Sequence, residues 1–105
     1  AYLFDYKSKN PKKSFVEEFM NPTPAPSEMI LDYPLIERKA AASDVAVITI
    51  GRNAGEGKDR AVANDFNLKD VEIKLIDAVS KAFHAKGKKV VVIVNTGGVI
   101  EVASW

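Results

Sequence analysis

Two short runs set the terms for this chain. Val45-Ala46-Val47-Ile48-Thr49-Ile50 and Val90-Val91-Val92-Ile93-Val94 are apolar at nearly every position, without the alternation of a half-solvated strand. Successive side chains of a strand point to opposite faces, so runs of this kind need cover on both sides. That is the mark of parallel strands in an α/β sheet. Between them lies the longest periodic segment, 68–86, in which Leu68, Val71, Leu75, Val79 and Ala82-Phe83 recur at steps of three and four. This spacing predicts one helix with a single apolar face. Asn67 or Asp70 is placed to cap it, Asp70 and Glu72 suit its start, and Lys81 and Lys86 suit its end. Gly87 is placed to stop it in the left-handed conformation. The predicted class is therefore α/β, a partial parallel-sheet sandwich with a β-α-β core and flanking helices. Two strands do not make a self-sufficient sheet. The chain is accordingly expected to be an incomplete domain within a larger protein, and its start at Ala1 reads as an internal cut or a processed end.

The rest of the chain divides at about residue 28. Residues 1–27 read as an irregular N-terminal segment with a Pro-rich linker. Tyr2, Leu3, Phe4 and Tyr6 form an aromatic cluster there, and Asn21-Pro22-Thr23-Pro24-Ala25-Pro26 favours an extended strap. Ser14 and Glu17 have the spacing of a capping box, which predicts a short helix over about 14–20. Residues 28–105 form the α/β unit. Asp32 and Tyr33-Pro34 open a helix with Leu35, Ile36 and Ala40 on its apolar side, ending at Ser43-Asp44. After the second strand, Asn95-Thr96-Gly97-Gly98 reads as a tight turn into a further helix from Val99 to Trp105. Such a turn can meet an oxyanion at the helix N-terminus.

The candidate chemistry lies in Gly51-Arg52-Asn53-Ala54-Gly55-Glu56-Gly57-Lys58-Asp59-Arg60, directly after the first strand. In open α/β sheets ligands bind beyond the carboxyl ends of the strands, and this loop sits at that edge. Its glycines do not have the G-x-G-x-x-G spacing, and Gly57-Lys58 is followed by Asp59 where a phosphate-binding loop has Ser or Thr. Glu56, between two glycines, is free to extend as an acid or base. Asp59 beside Arg60 reads as an ion pair supporting the loop. The alternative is a solvated charged loop. The net charge of +1 gives no electrostatic case for nucleic acid. Apolar runs of about six residues fall far short of the roughly 20 that span a bilayer, so no membrane partner is expected. Cysteine is absent, and a lone His84 leaves no cluster for a metal, so no cofactor is expected.

The stretch from Ser43 through Arg60, with its Glu-Gly-x-Asp-Arg element after a buried strand, resembles the α/β-sandwich domain of family 3 glycoside hydrolases of the bacterial β-glucosidase type. The likeness continues through Asp65-Phe66-Asn67-Leu68, the helix end Ala82-Phe83-His84-Ala85-Lys86-Gly87-Lys88-Lys89, and the segment from Val90 to Trp105. It covers roughly residues 28–105. The resemblance implies a fragment of a retaining β-glycosidase acting on terminal non-reducing β-D-glycosyl residues of a β-linked oligosaccharide or glycoside. It further implies that Glu56 is the general acid/base and that the nucleophilic aspartate lies on a TIM-barrel domain. That barrel and the rest of the sandwich domain are the implied partners, and the 105-residue chain alone is expected to be inactive.

A retaining acid must be protonated to act. Arg52, Lys58 and Arg60 near Glu56 would favour its charged form. Glu56 is thus expected to be ionised in the isolated chain and to become a usable acid only on docking; a raised pKa in the lone chain would contradict this. The reading from a different class is a non-catalytic α/β structural or interaction module whose loop only contacts a partner. His84 is expected to face solvent at the helix end, and Trp105 to pack in the core.

Overall fold

The computed structural model describes residues 2–23, 26–53 and 59–105, with side-chain surroundings given from Tyr6 onward. The elements are α1 (Tyr2–Lys9), α2 (Phe15–Met20), α3 (Tyr33–Ala42), β1 (Val45–Arg52), α4 (Asp70–His84) and β2 (Lys89–Thr96), with a wide turn over Val62–Phe66. β1 and β2 pair in parallel, in register from Val45 opposite Lys89 to Arg52 opposite Thr96. The α/β class and the β-α-β core are as the sequence implies, with each strand running past its apolar run into the polar residues that follow.

Cover is on one face only. Ile48 and Ile50 are buried, with Ala46, Val90 and Val92 packed beside them, against α4 and α3 through Ile36, Ala40, Val79 and Phe83. The alternate residues Val45, Val47, Val91 and Ile93 remain exposed, Val47 at 59%. The strands were expected to be buried on both sides; the described residues supply a layer to one side, and the opposite apolar face is what an incomplete sandwich leaves open.

Local chemistry sets the ends of the elements. Ser14 and Glu17 form a full capping box, the Glu17 amide donating to Ser14 Oγ at 3.3 Å and the Ser14 amide to Glu17 Oε2 at 2.9 Å. α2 is held by that cap and not by burial, since Phe15, Val16, Phe19 and Met20 are all exposed. Residues 2–9, expected to be irregular, form α1. Lys7 and Lys9 lie in its last turn, where cations favour the helix dipole, and Asn10 Nδ2 closes on Tyr6 O at 3.0 Å. The long helix is capped at Lys69, not at Asn67 or Asp70, because Glu72 turns back to accept the Lys69 amide at 2.8 Å. Lys88 reaches a different helix from the one it follows: its ammonium donates to Ala40 O at 2.7 Å and Ala41 O at 3.2 Å, the carbonyl end of α3.

No helix follows β2 among the described residues. From Gly97 the chain runs irregularly, burying Ile100, while the Glu101 carboxylate accepts the Ala103 amide at 2.5 Å and the Ser104 amide at 3.1 Å. A side chain that takes up these donors competes with a helical turn. Trp105 packs partly buried against the core, its indole N–H donating to Glu101 O at 3.1 Å. His84 is exposed at the end of α4. The oxyanion reading of 95–98 loses its helix N-terminus.

Gly87 ends α4 with φ of +67°, and nothing lies within 4 Å of where a Cβ would stand. The glycine is needed for backbone conformation alone. Gly87→Ala is expected to lower the unfolding free energy by about 1 kcal/mol, and Gly87→Asn by less, as read from denaturant midpoints.

Candidate active-site loop

Two arginines flank the segment 54–58, and each is held differently from what its neighbours in sequence suggest. Arg52, the last residue of β1, turns its guanidinium toward the start of α4. There Nη1 donates to Glu72 Oε1 at 2.7 Å and Nη2 to Glu72 Oε2 at 2.6 Å, a two-pronged pair whose side chains are 6% and 5% exposed. Nε donates to Asp65 O at 3.0 Å. One side chain therefore joins the end of a strand, the wide turn and the first turn of a helix. The fork of a guanidinium matches the two carboxylate oxygens, which makes this contact stronger and more directional than a single ion pair.

Burial pushes the Glu72 carboxyl up, but the Arg52 hydrogen bonds, the Lys69 amide and the neighbouring positive charges outweigh it and leave it below the ordinary glutamate value. The same hydrogen bonds raise the Arg52 guanidinium, against the effect of its burial.

Arg60, on the far side of the segment, is the second hub. Its Nη1 donates to Asp65 Oδ1 at 2.7 Å, and its Nη2 donates to Asn53 O and to Thr96 Oγ1, both at 3.1 Å. The expected Asp59–Arg60 pair is thus replaced, among the described residues, by Arg60 with Asp65, while Asp59 is exposed. Adjacent residues rarely face one another; a partner five positions on is reached because the chain reverses between them. That reversal is the wide turn, where the Phe66 amide donates to Ala61 O and the Asn67 amide to Val62 O, both at 2.9 Å. Asn64 takes up its left-handed residue with φ of 63°, a conformation that asparagine tolerates better than most.

Thr96 in turn closes the loop after β2, accepting the Gly98 amide at 3.2 Å and donating to Gly98 O at 3.1 Å. A Cβ on Gly98 would stand 3.2 Å from Arg60 Nη2, so the glycine lets the guanidinium lie against the turn. A cleft of about 520 Å³ opens beside it, bordered by Asp59, Arg60 and Gly97, with Val62, Phe66 and Val99 as its apolar floor. The sequence alone points to neither the cleft nor the role of Asp65 as the partner of Arg60. Glu56 lies outside the described residues, as do Gly55, Gly57 and Lys58. No group of three or more potential metal ligands occurs among the described residues.

The model of the glycosyl hydrolase family 3 C-terminal domain matches residues 33–105. The chain belongs to that family. A β-glucosidase of Ruminococcus albus is 37% identical over 75 residues, which is 70% of this chain and 8% of that protein. Structures of β-glucosidase 3B from Thermotoga neapolitana, in complex with glycerol and with α-D-glucose, superpose with TM-scores of 0.80 and 0.81 at 39% identity. Each covers 99% of this chain and 14% of the solved chain, so the structural likeness takes in described residues before 28 as well. The chain is a small part of the length of these family 3 relatives.

The Arg52–Glu72 contact yields a stability prediction with a definite sign. A carboxyl lowered in the folded state stabilises fully above its unfolded value and loses that contribution as pH falls through the folded one. Below the ordinary value of 4.5 this contribution should therefore decline. Glu72→Gln is expected to cost about 3 kcal/mol at neutral pH by leaving Arg52 buried and uncompensated, and to flatten the acid side of the stability curve. Replacing both residues by Met should cost less than the single change, as measured by urea unfolding across pH.

Proposed function

We propose that this chain is the part of a retaining β-glycosidase, of β-glucosidase type, that supplies the general acid/base, and that Glu56 is that residue. The observation that carries the reading is the position of its loop. A segment bearing one glutamate leaves the carboxyl end of a parallel strand within a matched family 3 domain, and its two flanks, Asn53 and Arg60, are bonded to each other. A solved relative is a β-glucosidase in complex with glucose, which supports a terminal β-D-glucosyl residue as the substrate group.

In the proposed reaction an aspartate on a second, TIM-barrel domain attacks the anomeric carbon while Glu56 protonates the departing glycosidic oxygen. Glu56 then takes a proton from the water that releases the sugar. This requires the two carboxyl groups to stand about 5–5.5 Å apart, so the barrel must dock over the carboxyl edge of β1 and β2. The acid must also be protonated. Of the three cations close to Glu56 in sequence, two are paired with carboxylates, Arg52 with Glu72 and Arg60 with Asp65. The negative nucleophile and closure of the cleft then raise the Glu56 pKa on docking.

The experiment is Glu56→Gln in the full-length protein. Turnover of glycosides with poor leaving groups should fall by roughly 10²- to 10⁴-fold, while activated aryl glycosides lose less in the bond-breaking step. Azide should restore turnover of the activated substrates by replacing the base-assisted water. Parent-like activity of the variant on all substrates would remove Glu56 from the mechanism.

A further inference from the structure

We infer that Arg60 is the positioning residue for the acid/base glutamate, an assignment that rests on the reading of Glu56 above. Among the described residues, its guanidinium bonds to Asn53, to the turn that follows, and to the neighbouring strand. Nη2 bridges Asn53 O and Thr96 Oγ1, and Nη1 holds Asp65. The points where the chain leaves β1 and where it returns are thereby fixed to each other and to the end of β2.

Covalent geometry carries the consequence to Glu56. It lies three residues from Asn53, so its Cα can stand no more than roughly 11 Å from that anchor. Releasing the contact would uncouple the return point at Arg60 from Asn53 and from the end of β2, and so remove a restraint on the placement of the acid/base. Arg60 has no need to touch substrate for this effect. Displacing a catalytic group by about 1 Å can cost about 10²-fold in rate.

The details favour arginine and no other residue. Three acceptors surround the guanidinium, divided between Nη1 and Nη2, and a planar fork serves them from fixed directions, whereas an ammonium presents all its donors from one nitrogen on a flexible stem. Gly98 leaves room for the fork at 3.2 Å from the site of a Cβ. Thr96 is oriented toward it by its own bonds to Gly98. Asp65 offsets the charge at 2.7 Å, so the anchor is not an unpaired cation.

The test uses Arg60→Met, Arg60→Lys and Glu56→Gln in the full-length protein, with cellobiose and 2,4-dinitrophenyl β-D-glucoside as substrates. Rates of the bond-breaking step are corrected for the active fraction by burst titration. Arg60→Met should slow cellobiose cleavage by about 10- to 100-fold and leave the dinitrophenyl substrate nearly unchanged, because only the former depends on a well-placed acid. Arg60→Lys should fall between Arg60→Met and parent. Equal losses on both substrates would reduce Arg60 to a structural residue, and no loss on either would also overturn the proposal. If Arg60→Met does not fold, Thr96→Val, which removes one of the three bonds, must show the same leaving-group bias at smaller size, and its absence overturns the assignment. A bias in Glu56→Gln without one in the Arg60 variants would refute positioning alone. No bias in Glu56→Gln would remove the reading on which it rests.

Discussion

The two-pronged contact between Arg52 and Glu72 is the joint on which the described structure turns. β1 must deliver its last residue to the start of α4 across the intervening loop, and this buried pair fixes the two ends. Because both groups are nearly out of water, the pair is not a large net source of stability relative to an apolar contact of the same size. Its value is specificity: only one approach of strand to helix satisfies both oxygens, the Lys69 amide and the Asp65 carbonyl together. With that joint in place, the residues between it and Leu68 can form the wide turn, and the turn presents Asp65 to Arg60.

A second consequence is electrostatic. A loop rich in arginine and lysine looks hostile to a carboxyl that, in the proposed function, has to carry a proton. Arg52 and Arg60 are each matched by a carboxylate within 2.7 Å, which makes them struts at the flanks of the loop. The open apolar face of the sheet, with Val47 and Val91 exposed, fits a chain that spans 14% of its solved relatives. In the proposed function the active site is likewise shared, one carboxyl from this domain and one from another.

Much of the frame was legible in sequence because it is written in periodicity. Runs of β-branched residues gave both strands, the three–four spacing gave α4, and Gly87 and the Ser14–Glu17 box marked ends that the structure places where they were expected. The polar contacts were less legible. Glu72 lies on the same stripe as Leu68, Leu75 and Val79, at steps of four, three and four, and an acid on an apolar stripe signals a buried partner. Nothing local says that the partner is Arg52, because that meeting depends on the parallel register and the loop between. Asp65 was hidden for a similar reason, its contact with Arg60 requiring a chain reversal that Asn64 makes in the left-handed region. The helix expected after Gly98 failed because periodicity over seven residues is weak, and Glu101 takes the amides a first turn would use.

The measurement that bears most directly on the proposal of a glutamate completed by another domain is the titration of the Glu56 carboxyl by carbon-detected NMR, in the isolated chain and in the full-length protein. The account predicts an ordinary or lowered pKa in the isolated chain and a raised one when the remaining domains are present. A value already raised in the isolated chain, or one that does not change between the two, would contradict it.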